Sequence, residues 1–230
     1  MALLNDLNEK LDIYINQAYE IENTTIVPDT DNPKLTFGNK GLNGKFAFLF
    51  MDIRKSSHLH EQYGFKKTAK IYQGFHDINV RVIEENYGFV RSFDGDRVMG
   101  VFVGESKNGN AVKSAMQIQW AIRKILNPKF ATKIVCGGGI DFGEILVTKV
   151  GKGRDKNNND LVWIGKADNY ASHLSNEAYN SILISSESFK VLHVDRIKYN
   201  GINMWNPKEL VVKTGAKIKC YETTFDYPII

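Results

Sequence analysis

Two acidic residues stand where a carboxylate can be held rigidly beside a sheet. Asp52 ends an apolar run, Phe46 to Met51, in the string Phe50-Met51-Asp52-Ile53-Arg54-Lys55-Ser56-Ser57, and a continuous run of this kind reads as a strand buried on both faces. Asp96 follows Asp94-Gly95, a dipeptide favoured in two-residue hairpin turns whose central residues take positive φ. Each has a simple reading, Asp52 as an N-cap for the next helix and Asp96 as turn chemistry. Side by side they have another. Paired carboxylates hold hard cations, and Mg2+ is bound through one or two carboxylates together with substrate phosphates. Two such ions ease the conversion of a ribose 3′-hydroxyl into a nucleophile and neutralise the attacked phosphate and its leaving group. The chemistry such a pair suits is phosphoryl transfer.

The elements around the pair predict that the two residues meet. From Lys45 the pattern runs strand, helix, two strands, helix, two strands, helix, strand. Residues 64–86 carry Phe65, Ala69, Tyr72, Phe75, Ile78, Val82 and Ile83 at helical spacing. Phe89 to Phe93 and Val98 to Val103 flank the Asp94-Gly95 turn, and Ala111 to Leu126 forms a second amphipathic helix that stops before Pro128. Ile134 to Ile140 and Glu144 to Val150 are expected as a further hairpin across Asp141-Phe142-Gly143. A βαββαβ order predicts an α+β fold with a ferredoxin-like, palm-type sheet. There the end of the first strand and the hairpin of the second and third lie side by side.

Ahead of this domain, residues 2–22 place Leu3, Leu4, Leu7, Leu11, Ile15 and Tyr19 at helical spacing, an amphipathic helix that must dock on something. Residues 24–44, with three Gly and two Pro, read as a loop. The expected division is therefore 1–44, helix and loop, and 45–230, one domain with a full core. The net charge of +4 is spread along the chain, which suits a triphosphate ligand but argues against a nucleic-acid partner, since such proteins concentrate their basic residues. Cys136 and Cys220 lack metal or redox spacing and read as reduced core residues. No apolar run reaches the ~18 residues of a membrane span and no signal pattern opens the chain, so a cytoplasmic protein is expected.

Four strings together resemble the class III adenylate/guanylate cyclase catalytic domain, from about Lys45 to Glu222. They are Phe50-Met51-Asp52-Ile53-Arg54 with Ser56-Ser57; Phe93-Asp94-Gly95-Asp96-Arg97-Val98-Met99; Gly138-Gly139-Ile140-Asp141-Phe142-Gly143-Glu144; and Trp163-Ile164-Gly165-Lys166-Ala167-Asp168-Asn169-Tyr170-Ala171-Ser172. The resemblance implies that Asp52 and Asp96 bind two divalent ions, Mg2+ or Mn2+, with the Ile53 carbonyl assisting, and that Asn169 orients the ribose. It also implies a head-to-tail homodimer in which the Asn169 helix of one protomer completes the other's metal site. Lys213 falls near the family's phosphate-binding lysine and also reads as a surface-strand lysine.

Three positions depart from the pattern. Where the family places a transition-state arginine, four residues after the asparagine, this chain has His173. Either its imidazole donates to the phosphate, or it is a helix-surface residue and Arg97, Arg91 or Arg54 supplies the charge. At the base-reading positions stand Ser92 and Val162, which match neither the adenine nor the guanine code. This combination resembles the pyrimidine cyclases of Pycsar antiphage systems, which make cyclic UMP or cyclic CMP as a signal for a separate effector protein. Phe50, on the same strand face as Asp52, is either a base contact or a core aromatic. UTP is the expected substrate; CTP, ATP with unusual base contacts, and a degenerate nucleotide-binding module are the alternatives.

Overall fold

The computed structural model describes residues 2–152, 158–211 and 217–229. Helix α1 (Ala2–Asn16) and strand β1 (Glu20–Asn23) precede the long strand β2 (Lys40–Ile53) and helix α2 (Leu59–Glu85). The hairpin β3 (Phe89–Asp94) and β4 (Arg97–Phe102) leads to α3 (Lys107–Ala121), a π-helical turn over Ile122–Leu126 and the single turn α4 (Asn127–Phe130). Then come β5 (Cys136–Val150), β6 (Asp160–Ile164), α5 (Ala167–Glu177), β7 (Ile182–Ser185) and the short helices α6 (Ser186–Lys190) and α7 (Val194–Ile197). A two-stranded ribbon, β8 (Lys198–Tyr199) and β9 (Ile202–Asn203), precedes β10 (Asn206–Val211) and β11 (Lys217–Thr223).

The main sheet runs β10-β11-β7-β5-β2-β4-β3. Strand β3 returns after α2 with β4 between it and β2, the split βαβ arrangement expected from the order of elements. Strands β2 and β5 pair antiparallel from Gly41 opposite Thr148 to Ile53 opposite Cys136. They exceed the length of their neighbours, so at one end they are flanked by β4 and β7 and at the other by β1 and β6.

Alternation along β2 splits the core. Ala47, Leu49, Met51 and Ile53 face α2 and α3, packing on Ile71, Phe75, Ala115 and Met116. Phe46, Phe48 and half-buried Phe50 face the other way, against Val27, Leu35, Ala167 and Ala171. Residues expected as a plain loop before Lys45 thus cover one face of the sheet. Leu35 is 2% exposed, a burial that contributes roughly 2 kcal/mol.

Several local expectations are corrected. Asp141-Phe142-Gly143 is no turn but continuous β5, opposite Phe48, Ala47 and Phe46. Its buried Asp141 accepts hydrogen bonds from the Ser185 and Ser188 hydroxyls, which satisfies a carboxylate inside a strand. The first helix ends at Asn16, not 22, because the Asn39 amide caps the Tyr14 and Gln17 carbonyls at 3.1 and 2.7 Å and residues 20–23 pair in parallel with 40–43. No residue of α1 is buried in the protomer. Strand β2 begins at Lys40, five residues before the expected start. Helical structure continues past Pro128 in α4, which follows directly on the π-helical turn over Ile122–Leu126. Phe65 is 81% exposed because Gly64, at φ 73° and ψ 159°, breaks α2 just before it. Among the described residues no helix is long and apolar enough to cross a membrane.

Candidate active site

Two adjacent rows of side chains cross the face of the sheet that α5 covers. In the first, Asp94 pairs with Arg97, Arg97 with Asp52, and Asp52 with Gly137. In the second, Ser92 pairs with Met99, Met99 with Phe50, and Phe50 with Gly139. The rows are two residues apart, about 7 Å along the strands. A bulge interrupts β3 between Val90 and Ser92. Ser92 lies on the turn side of the bulge, two residues from Asp94 in unbroken hairpin register, and so takes the same face as Asp94. Ser92 and Phe50 therefore share a face with Asp52.

Asp96 reaches the first row from the hairpin. Since Asp94 pairs with Arg97, the central turn residues are Gly95 and Asp96, and Gly95 takes φ 60° while Asp96 is not among the positive-φ residues. Glycine at the first central position is the type II′ arrangement, which corrects the expected Asp94-Gly95 pair with two positive φ values. The Asp96 carboxyl is raised from its ordinary pKa first by burial and then by the charge of Asp52, while the Ser56 hydroxyl pulls it back by hydrogen bonding. Its Oδ2 is buried with no hydrogen-bond partner. A buried acceptor next to a second carboxylate is costly unless a cation satisfies it, so the residues fit a divalent ion. Among the described residues no group of three or more His, Cys, Asp or Glu converges, which leaves remaining coordination to backbone, water and substrate phosphate, as Mg2+ accepts. Ile53, with its backbone carbonyl, is the next residue of β2 and its side chain is buried.

Arginines surround Asp52. Arg54 reaches its Oδ2 at 2.6 Å and Arg97 reaches the same atom at 3.1 Å. Arg97 also donates to the Ser172 hydroxyl at 3.0 Å and to the Asn176 side-chain carbonyl, and Arg54 donates to the Asn176 backbone carbonyl at 3.1 Å. Arg91, by contrast, is turned away, donating to the Pro28 and Val27 carbonyls and clamping the N-terminal segment. Of the three arginines considered for the transition-state charge, Arg54 and Arg97 are at the site and Arg91 is not.

Helix α5 lies flush on β5 because the strand presents glycine there. A Cβ on Gly139 would stand 2.1 Å from the Ala171 carbonyl oxygen, and one on Gly137 would stand 2.3 Å from that of Ala178. Ser172 and Asn176 share a stripe with Asn169 and His173, at helical spacing. The first two touch Arg97; Asn169 is exposed and bonds back to the Gly165 carbonyl at 3.1 Å, and His173 is half-buried. Val162 sits on β6 opposite Thr148 and is 41% exposed. From Gly139 to Thr148 is nine residues along β5, about 30 Å. Val162 thus lies further along β5 than the row of Phe50 and Ser92. Lys213 lies outside the described residues.

Sequence reading missed Ser56, Ser172 and Asn176. Ser56 and Ser172 stand within the strings that carry the family resemblance, and the helical spacing 169, 172, 173, 176 is the signal for Asn176.

No family model matches the chain. A uridylate cyclase of Burkholderia cepacia is 32% identical over 218 residues, 90% of this chain and 92% of that one. A uridylate cyclase of Xanthomonas perforans is 33% identical over 214 residues, 89% and 90% of the two chains. Among solved structures, the adenylyl cyclase CyaB from P. aeruginosa superposes with a TM-score of 0.70 at 20% identity, over 81% of this chain and 97% of that one. The guanylyl cyclase Cya2 gives 0.69 at 18% identity, over 81% and 95%. The structures establish the cyclase fold and the sequence relatives the branch: the chain belongs to the uridylate cyclases, within the class III nucleotide cyclases.

Proposed function

We propose that this protein converts UTP to 3′,5′-cyclic UMP and pyrophosphate, as a homodimer holding two divalent ions, Mg2+ or Mn2+, through Asp52, Asp96 and the Ile53 carbonyl. The observation that carries this reading is the orphaned Asp96 Oδ2 beside Asp52, one row from Phe50 and Ser92. When bound, the ions supply Lewis acidity for the ribose 3′-hydroxyl and charge neutralisation for the triphosphate.

The chain's own groups account for the rest. Phe50 offers a ring face to the base and Ser92 a hydroxyl to its edge, with no ionised side chain to select a purine pattern. Arg97 and Arg54, gathered at Asp52 by Asn176, keep positive charge beside the phosphates. Asn169 orients the ribose and His173 donates to the phosphate from the partner's α5, and Val162 on β6 serves the base.

Family membership supports a role for cyclic UMP as a second messenger in bacterial antiphage defence, made in the cytoplasm and sensed by a separate effector. The test is to incubate the purified protein with UTP, CTP, ATP and GTP separately in Mn2+ or Mg2+ and identify products by mass. Cyclic UMP as the main product supports the assignment. Cyclic CMP or cyclic AMP as the main product, or no cyclic product, overturns it.

A further inference from the structure

Asp96 is carried on a two-residue turn, and a metal ligand must be held to within a fraction of an ångström to bind tightly. The structure shows what holds it. His76, on α2, places Nε2 2.9 Å from the Gly95 carbonyl oxygen, which can only accept, so Nε2 carries the proton. The ring is fixed on three sides, edge-on to Phe93 at 5.1 Å, Phe75 at 5.7 Å and Tyr72 at 6.5 Å. Its Nδ1 is buried without a hydrogen-bond partner. A histidine that leaves one nitrogen unsatisfied is retained at some cost, and the bond to Gly95 is the return for it.

Gly95 is the positive-φ residue of the turn and Asp96 is next to it. A bond to the Gly95 carbonyl therefore fixes the peptide plane from which the Asp96 side chain leaves. One helical turn earlier, Tyr72 approaches the same site: its hydroxyl pKa is raised by burial and then by the charge of Asp96, and Ser56 hydrogen-bonds to it. The face of α2 bearing Tyr72 and His76 is thus the platform on which the hairpin rests.

We propose that His76 is a positioning residue for the metal site, setting the affinity for the divalent ion by anchoring the Gly95-Asp96 turn to α2. This rests on the assignment of Asp96 as a metal ligand. Groups that orient a ligand from behind affect metal affinity by about 10- to 100-fold, and a single neutral hydrogen bond belongs at the lower end.

The test measures Mn2+ binding directly, by calorimetry on the full chain without nucleotide, alongside Mn2+ dependence of UTP turnover. The variants are Asp96→Ala, His76→Leu, which keeps bulk without a donor, and His76→Gln, whose amide can donate from near the Nε2 position. His76→Leu is expected to weaken Mn2+ binding about tenfold, with kcat at saturating Mn2+ within about twofold. His76→Gln is expected to restore binding to within about threefold. Wild-type affinity in His76→Leu, or equal impairment of Leu and Gln, overturns the proposal. Should Asp96→Ala bind Mn2+ like the wild type, the metal assignment itself has failed, an outcome separable from failure at His76. Melting temperatures of the three metal-free variants show whether His76→Leu folds, and if it does not, Gln at wild-type affinity supports the proposal and Gln tenfold weaker refutes it.

Discussion

Asp52 and Arg97 are direct cross-strand partners on β2 and β4, and the guanidinium reaches Oδ2 of the carboxylate at 3.1 Å while its other arm holds Ser172 at 3.0 Å. One arginine thus ties the Asp52 row to α5, the helix that carries Asn169 and His173.

Removing that tie should loosen both. Arg97→Ala is expected to cost about 2 kcal/mol in urea unfolding, since the side chains of Arg97 and Asp52 are 22% and 12% exposed and several charged hydrogen bonds are lost. Cyclic UMP formation should fall at least about 100-fold, as for loss of a major electrostatic group. Full activity in this variant would show that Arg97 neither positions α5 nor acts on the phosphates.

The seat of α5 on glycine gives a second expectation. Gly139→Ala would put a methyl 2.1 Å from a carbonyl oxygen and 2.2 Å from a backbone nitrogen, neither of which can rotate away. A loss of about 3 kcal/mol is expected, the upper end for overpacking. Gly143→Ala, which meets only the Ala167 methyl at 3.2 Å, should cost less than about 1 kcal/mol. Thermal denaturation of both variants checks the ordering; equal losses would mean that α5 does not rest on Gly139.

Asp141 provides a pH dependence. Burial raises its carboxyl above the ordinary value of 3.8, against the hydrogen bonds of Ser185, the Phe142 backbone and Ser188. A raised folded-state pKa means that the folded chain binds the proton more tightly. The contribution of Asp141 is therefore fullest below its unfolded pKa and is lost as pH rises through its folded one. Melting temperatures of wild type and Asp141→Asn, compared from about pH 4 to pH 7, should diverge, with the wild type losing ground as pH rises. A difference independent of pH would contradict the raised value.

The proposed head-to-tail dimer, in which α5 of one protomer completes the Asp52 site of the other, predicts sites shared between protomers. Asp52→Ala and Asn169→Ala should each be inactive. Mixed and allowed to exchange, half the dimers are heterodimers with one intact site in two, so roughly a quarter of wild-type activity returns. No recovery on mixing, with exchange confirmed by mass spectrometry, would place each site within one chain.

The order of the central elements, and with it the meeting of Asp52 and Asp96, was readable because β2, α2, β4 and α3 keep clean periodicities over six residues or more. What was misread depended on partners distant in the chain. Asp141-Phe142-Gly143 has turn composition, and its pairing with Phe48, Ala47 and Phe46 on β2, with Ser185 and Ser188 satisfying the Asp141 carboxylate 44 and 47 residues on, makes it strand. Residues 20–22 read as the end of the first helix because the edge they pair with, 40–42, lies in a segment rich in glycine. Phe50 and Ser92 are each legible by their two-residue and four-residue spacing from Asp52 and Asp96, but their pairing in one row through Met99 follows only from the register of β2, β4 and β3. Arg97 was visible in its motif, but its hold on Ser172 and Asn176 required the position of α5.

The central claim is that Asp52 and Asp96 make this fold a uridylate cyclase, and mass-spectrometric detection of cyclic UMP and pyrophosphate from UTP and Mn2+ tests it most directly. Wild-type protein is expected to form both in equal amounts, and Asp52→Ala and Asp96→Ala, folded as judged by circular dichroism, should form neither. Cyclic UMP at wild-type rate from either variant would contradict it.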